Sequence, residues 1–159
     1  MSRIVSPVVL AAITLAAAVF NMEPASAQTP PPKKEAELVA SGHRKLSGPE
    51  IATMLTGNTV YLLFLAPAGT AAAGSQVAQF YRDSKTRISI PGSGPMGGKK
   101  VEANWWIEGN SVCGENRVVT QGHSCASMYQ GPSSIYFCSL PAGLCNYLVR
   151  VVPGNVEKM

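Results

Sequence analysis

The residues best suited to chemistry are four cysteines, all in the last third of the chain: Cys113, Cys125, Cys138 and Cys145. A zinc site usually takes its ligands from closely spaced pairs such as C-x-x-C. No two of these cysteines are spaced in that way, and the chain has only two histidines, His43 and His123. The spacing therefore predicts disulfides, with no metal ion and no organic cofactor. Disulfides in turn indicate an oxidising compartment.

The order of the cysteines along the chain favours one pairing. Strand alternation places Cys145 and Val149 on one face of the last predicted strand, so a Cys138–Cys145 bridge across a short loop would point into the core. Cys113 with Cys125 would then join the two preceding strands. The other two connectivities remain open from sequence alone. Each local bridge is expected to add about 2–3 kcal/mol to the free energy of unfolding.

Catalytic patterns are missing from the sequence. There is no G-x-S-x-G turn for a nucleophilic serine and no glycine-rich phosphate loop before a helix. His43 lies beside two basic residues in a segment expected to be solvated, and His123 is expected on the surface of a loop. Glu102 and Glu108 could in principle act as a carboxylate pair on glycosides, but both are expected to face solvent. We therefore predict no catalytic residue, and the sequence favours a protein that is not an enzyme.

Trp106 is the best candidate for a binding residue. The segment from Val101 to Glu108 alternates, with one face carrying Val101, Ala103, Trp105 and Ile107. Trp106 falls on the opposite, polar face, where an indole could stack on a sugar ring or anchor a partner. The alternative is a sheet covered on both faces, with Trp106 packed against a disulfide. Gly109-Asn110 then predicts a hairpin turn.

One short helix and many short strands must position these residues. Ser47-Gly48-Pro49-Glu50 is a capping-box pattern, and Ile51 and Leu55 lie on one apolar stripe of the helix that follows. Gly57 is suited to end that helix. The strand candidates are residues 59–65, 71–79, 79–82, 87–90, 101–108, 111–113, 125–129, 134–138 and 145–152. The pattern predicts a mainly β fold, a small antiparallel barrel or sandwich with one short N-terminal helix.

The N-terminal region has the three parts of a secretory signal. Arg3 precedes an apolar run over residues 4–20, and Ala25-Ser26-Ala27 is a site that signal peptidase accepts. We predict a signal peptide over residues 1–27, a periplasmic or secreted product and no membrane span after cleavage. An uncleaved anchor is the alternative, although a span needs about 20 apolar residues. Residues 28–45 are expected to be a Pro/Lys-rich tether with a short helical stretch, and residues 46–159 one disulfide-bonded β domain.

Two stretches resemble known groups of proteins. The sequence LSGPEI at residues 46–51, with LTGNTV at residues 55–60, resembles the start of a group of small exported proteobacterial proteins of unknown function. The order of Trp106, Cys113 and Cys125 also matches that group, so the likeness covers roughly residues 46–139. It implies a fold and no activity. The loop at residues 91–95, ahead of Trp105 and Trp106, is similar to the Ser/Gly-rich loop of periplasmic inhibitors of C-type lysozyme, which are small disulfide-bonded β-barrels.

Charge and composition limit the partners. The formal charge of +4 is spread along the chain. Nucleic-acid binding would need a denser basic stripe with interleaved aromatic residues, so it is not expected. We predict a non-catalytic binding module for an envelope protein or glycan. The alternative is an inhibitor of a hydrolase such as lysozyme, and a small hydrolase is the third hypothesis.

Overall fold

A computed structural model describes residues 30–65, 72–92, 97–116, 122–141 and 143–159. The predicted signal peptide and residues 93–96 of the glycine-rich loop lie outside this range. Within it, no helix is long and apolar enough to cross a membrane. The elements are β1 (Lys33–Lys34), α1 (Glu35–Ala40), β2 (Arg44–Lys45), α2 (Gly48–Leu55), β3 (Asn58–Phe64), β4 (Gln76–Tyr81), β5 (Thr86–Pro91), β6 (Val101–Glu108), β7 (Ser111–Asn116), β8 (Gly122–Gln130), β9 (Ile135–Ser139) and β10 (Leu144–Pro153).

Strands β3 to β10 form an eight-stranded antiparallel barrel. Each strand pairs with the next along the chain, and β10 pairs back with β3, with Val149 opposite Leu62 and Val151 opposite Val60. Closing a sheet in this way removes the open edges that a flat sheet would expose. The predicted fold class is confirmed, and of the two expected architectures the chain adopts the barrel.

Helix α2 closes one end of the barrel. Ile51 and Leu55 on this helix, with Leu46 before it, are buried in the main core. That core continues along the barrel interior through residues of seven strands, namely Val60, Leu62, Tyr81, Trp105, Val112, Met128, Phe137 and Val149. Gly48 lets the helix approach the β6–β7 turn, because a Cβ there would lie 2.3 Å from the carbonyl oxygen of Gly109.

The predicted capping box is present at the start of α2. The backbone N–H and the hydroxyl of Ser47 both donate to the Glu50 carboxylate, at 2.8 and 2.7 Å. Gly57, with φ of +76°, follows the helix as expected. Arg44 also reaches Glu50, with Nη2 at 2.8 Å from Oε1. This contact joins the segment before the helix to its first turn.

The hydrogen bonds to Glu50 predict a dependence of stability on pH. The bond from Arg44, followed by those from Ser47, lowers the pKa of Glu50 from its ordinary 4.5 to about 2. The folded-state pKa lies below the unfolded value, so the ionised Glu50 carboxylate adds to the free energy of unfolding. This added stability is complete above about pH 4.5 and is lost as the pH falls toward 2. We expect Glu50→Gln to reduce the drop in melting temperature between pH 6 and pH 3. Thermal unfolding followed by circular dichroism measures this, with the exposed Thr53→Ala as control. An unchanged drop in Glu50→Gln would contradict the assignment.

Residues 33–45 pack against the outside of the barrel, where the sequence analysis expected a tether. We call this segment the N-terminal clamp. Strand β1 pairs with β10 and β2 with β8, and α1 lies between them. Leu38 on α1 is fully buried in a second core with Leu65, Tyr129, Tyr136 and the two cysteines 138 and 145. The tether prediction is wrong over this segment because these outward-facing apolar side chains provide a surface that Leu38 covers.

A bulge in β10 corrects the expected position of Cys145. The pairing with β9 shifts register between Leu144 and Tyr147. An extra residue reverses the alternation of faces, so Cys145 lies in the second core and Val149 in the main core. The prediction that both residues lie on one face is wrong because of this bulge. The Cys138–Cys145 bridge is buried, but between the barrel wall and the clamp.

Candidate functional site

The two faces of β6 differ as the sequence predicted. Ala103 and Trp105 point into the barrel and are only 5% and 2% exposed. Glu102, Asn104 and Glu108 point outward and are exposed. The Gly109-Asn110 turn leads into β7, with Glu108 opposite Ser111. The outward face of this hairpin is therefore a polar surface on a rigid wall.

Trp106 lies half-buried on that outward face. It is directly opposite Cys113 on β7, and Cys113 is in turn opposite Cys125 on β8. The His123 ring, also on β8, lies 5.7 Å from the indole between ring centroids, tilted by 54°. The indole therefore shares its face with the Cys113–Cys125 bridge and is neither fully buried nor fully exposed. Its role as a binding residue stays a prediction.

Polar side chains surround the indole. The side-chain amide of Asn104 donates to Glu115 Oε1 at 2.9 Å. The Glu108 carboxylate is exposed beyond Trp106 along the same strand. We call this surface the tryptophan face, consisting of Asn104, Trp106, Glu108, Glu115 and His123. It combines an apolar ring with carboxylate, amide and imidazole groups that can hydrogen-bond.

The four cysteines form two disulfides, Cys113–Cys125 and Cys138–Cys145. This is the pairing that the hairpin argument favoured. Glu108 lies close enough to the first pair for its carboxylate and the two sulfurs to fall within 4.8 Å of one another. Because the sulfurs are bonded to each other, they cannot act as thiolate ligands. This grouping therefore provides no metal site.

His43 is buried, contrary to the solvated setting predicted for it. Its Nε2 lies 2.8 Å from Ser134 Oγ, and its Nδ1 lies 3.1 Å from Ser41 Oγ. The ring packs edge-on against Tyr136 and above Gly131, where a Cβ would come within 2.5 Å of it. Within the described chain the ring hydrogen-bonds to two serine hydroxyls, and no carboxylate there orients it as in a triad. The contacts fasten the N-terminal clamp to the β8–β9 turn.

The remaining catalytic candidates stay apart. His123 lies in β8 rather than in a loop, and it is exposed, as predicted. Glu102 and Glu108 are six positions apart on one strand, which places them about 20 Å apart at the usual rise per residue. The two carboxyl groups of a glycosidase lie within about 10 Å of each other. The described chain therefore does not bring this pair together.

One polar residue that the sequence analysis did not single out lies inside the barrel. Arg87 on β5 is directly opposite Tyr81 on β4 and Ala103 on β6, both of which are buried inward residues. Its alternation with Ser89 along β5 is the only sequence signal of its position. That signal reads equally well as a solvent-facing strand, so it could not have identified an inward arginine.

The fold and this surface define a disulfide-bonded, eight-stranded antiparallel barrel with a half-buried tryptophan on its outer wall. Comparisons with protein-family models, with curated proteins and with solved structures give no match. The two resemblances drawn from the sequence therefore stay predictions. The loop that carries the likeness to lysozyme inhibitors lies partly outside the described residues.

Proposed function

We propose that this protein is a non-catalytic binding module of the cell envelope or the extracellular medium, and that it binds a glycan on the tryptophan face. The observation that carries the proposal is the half-buried Trp106 among polar side chains on the outer wall. A sugar ring has an apolar C–H face and a rim of hydroxyls. An indole can stack on the C–H face, while Asn104, Glu108 and His123 can form hydrogen bonds with the hydroxyls.

The tryptophan face lies on paired strands, so the backbone that carries its side chains is rigid before a ligand binds. Trp106 lies in the middle of a paired strand, and the Cys113–Cys125 bridge joins the two strands beside it. Side chains held in this way lose little conformational freedom on binding, which favours affinity. A protein partner would use the same indole, but the surrounding carboxylates and amide favour a hydroxyl-rich ligand.

The proposed location rests on the disulfides and on the predicted signal peptide. Disulfides persist in oxidising compartments, and cleavage after Ala27 would deliver the chain to one. The glycans available there are those of the envelope. Peptidoglycan is therefore the first ligand to test.

The proposal predicts that binding depends on Trp106. Protein purified from the periplasm or the medium should co-sediment with peptidoglycan sacculi, and an N-acetylglucosamine oligomer should compete. We expect Trp106→Ala to weaken this binding about tenfold or more, as for a buried aromatic anchor. Val39→Ala on the clamp, which changes an exposed side chain, should bind as the wild type does. Binding that survives Trp106→Ala, or no binding to any glycan, would contradict the proposal.

The two alternative functions give different results in simple assays. Inhibition of C-type lysozyme in a cell-wall turbidity assay would support the inhibitor hypothesis instead. Turnover of a hydrolase substrate, lost on His123→Ala or His43→Ala, would support the third hypothesis. Neither result is expected from a glycan-binding module.

A further inference from the structure

Arg87 places a positive charge inside the barrel, and no carboxylate among the described residues forms an ion pair with it. Its Nη2 donates to the backbone carbonyl of Glu115 at 3.0 Å. Its Nε is buried and has no hydrogen-bond partner. None of the ion pairs found in the described chain includes Arg87. A guanidinium has five N–H donors, and buried charges are normally paired, so this one has capacity for an anion.

The barrel wall is shaped around this guanidinium. Ala103 and Gly114 are small residues on the inward face of β6 and β7, and the arginine side chain passes over them. A Cβ on Gly114 would lie 3.0 Å from Arg87 Nη1. Glycine in the middle of a strand weakens the sheet, and here its absence of a side chain leaves space for the guanidinium.

Further hydrogen-bonding groups lie next to Arg87. Ser89 and Gln79 are paired with each other one step along the same inward face, and both are 9% exposed. The Tyr81 hydroxyl, opposite Arg87, donates to Gln79 Oε1 at 2.9 Å. This bond directs the amide N–H₂ of Gln79 away from Tyr81. The amide and the Ser89 hydroxyl are therefore available to a second ligand atom.

Several inward residues around the guanidinium are small. An eight-stranded barrel holds its own side chains or one small ligand. The small inward residues near it are Ser89, Val101, Gly114 and Ser124, and its large inward neighbours are Tyr81 and Trp105. Ser124 is opposite Gly114 on the inward face and is exposed.

We propose that the barrel interior beside Arg87 binds a small organic monocarboxylate, with its carboxylate on Arg87 and its apolar part toward Leu62 and Val77. A planar guanidinium pairs with a carboxylate through two parallel hydrogen bonds. A single positive charge inside the barrel is neutralised by a single negative charge, whereas a phosphate group would bring an excess of charge. Leu62 and Val77, opposite each other on β3 and β4, supply the apolar wall. The site lies on the opposite side of the wall from the tryptophan face.

Titration of the disulfide-bonded protein with hexanoate tests this site. We expect saturable binding, followed by the fluorescence of Trp105, whose strand position is opposite Gly114. Hexan-1-ol, which lacks the charge, should bind about tenfold or more weakly. Arg87→Met should weaken hexanoate binding to a similar degree, and Trp106→Ala should leave it unchanged.

Two further variants separate loss of the site from loss of the fold. Urea denaturation of Arg87→Met should give a midpoint equal to or above that of wild type, since an unpaired buried charge is removed. Arg87→Lys keeps the charge but not the two parallel hydrogen bonds, and Gly114→Ala crowds the guanidinium, so both should weaken hexanoate binding. Absence of saturable binding, equal affinity for hexanol, tighter binding of inorganic phosphate, or full affinity in Arg87→Met would each overturn the proposal.

Discussion

Replacing Trp105 by alanine is expected to lower the free energy of unfolding by about 3–5 kcal/mol, whereas replacing the adjacent Trp106 should lower it by about 1 kcal/mol. Trp105 fills the barrel interior, with its ring edge-to-face on Tyr81 at 4.8 Å between centroids. Its indole N–H also donates to the carbonyl of Asp83 at 2.8 Å. The alanine variant loses this packing and also the hydrogen bond to the Asp83 carbonyl.

Urea denaturation followed by far-ultraviolet circular dichroism measures both variants without relying on tryptophan fluorescence. A domain of this size has about 5–15 kcal/mol of stability in total, so the Trp105→Ala loss would be a large share of it. The two residues are neighbours in one strand, which makes each the matched control of the other. Equal losses would show that the outward indole is as much a part of the core as the inward one.

Replacing both Cys138 and Cys145 by alanine is expected to lower the free energy of unfolding by about 2–4 kcal/mol. It should also loosen the packing of the N-terminal clamp against the barrel. The loss of stability follows from the freer unfolded chain. The effect on the clamp follows from position, because both sulfurs are fully buried in the core that holds Leu38. Removing them takes away part of the surface on which α1 packs.

Limited proteolysis distinguishes this second effect from a general loss of stability. Cleavage within residues 33–45, located by mass spectrometry under conditions that keep the barrel folded, should be faster in the Cys138→Ala, Cys145→Ala variant. The Cys113→Ala, Cys125→Ala variant should lose comparable stability while its clamp stays protected, since that bridge lies beside Trp106. Equal protection of the clamp in both double variants would refute the link between the buried bridge and α1.

The sequence was a good guide where a segment carried a strong period or a strong turn signal. The alternation through Trp105 and Trp106, the Gly109-Asn110 turn and the capping box at Ser47 were all predicted and are all present. Together with the spacing of the strands, they were sufficient for a β fold, although the two strands predicted over residues 71–79 and 79–82 are the single strand β4 in the structure. They also separated the two tryptophans into a core residue and a candidate binding residue.

The features missed by the sequence analysis depend on contacts between distant segments. Leu38 and Val39 are adjacent apolar residues in a short stretch, and only the outer faces of the barrel strands make Leu38 a core residue while Val39 stays exposed. The bulge before Val149 reverses a face without any glycine at that point to signal it. Arg87 faces inward because Ala103 and Gly114, on other strands, leave space for it. None of these facts is local, so no window of sequence contains them.

Closure of the barrel by β3 and β10 has a consequence for how the chain folds. The hydroxyl of Thr59 donates to the carbonyl of Gly154, 95 positions further along the chain. Pairing so distant raises contact order, for which folding in milliseconds to seconds is typical. Until β10 is synthesised, β3 has no partner on one side and β9 has none on the other. A chain shortened before Leu144 would keep these two strand edges open. We expect such a chain to associate with other chains through them.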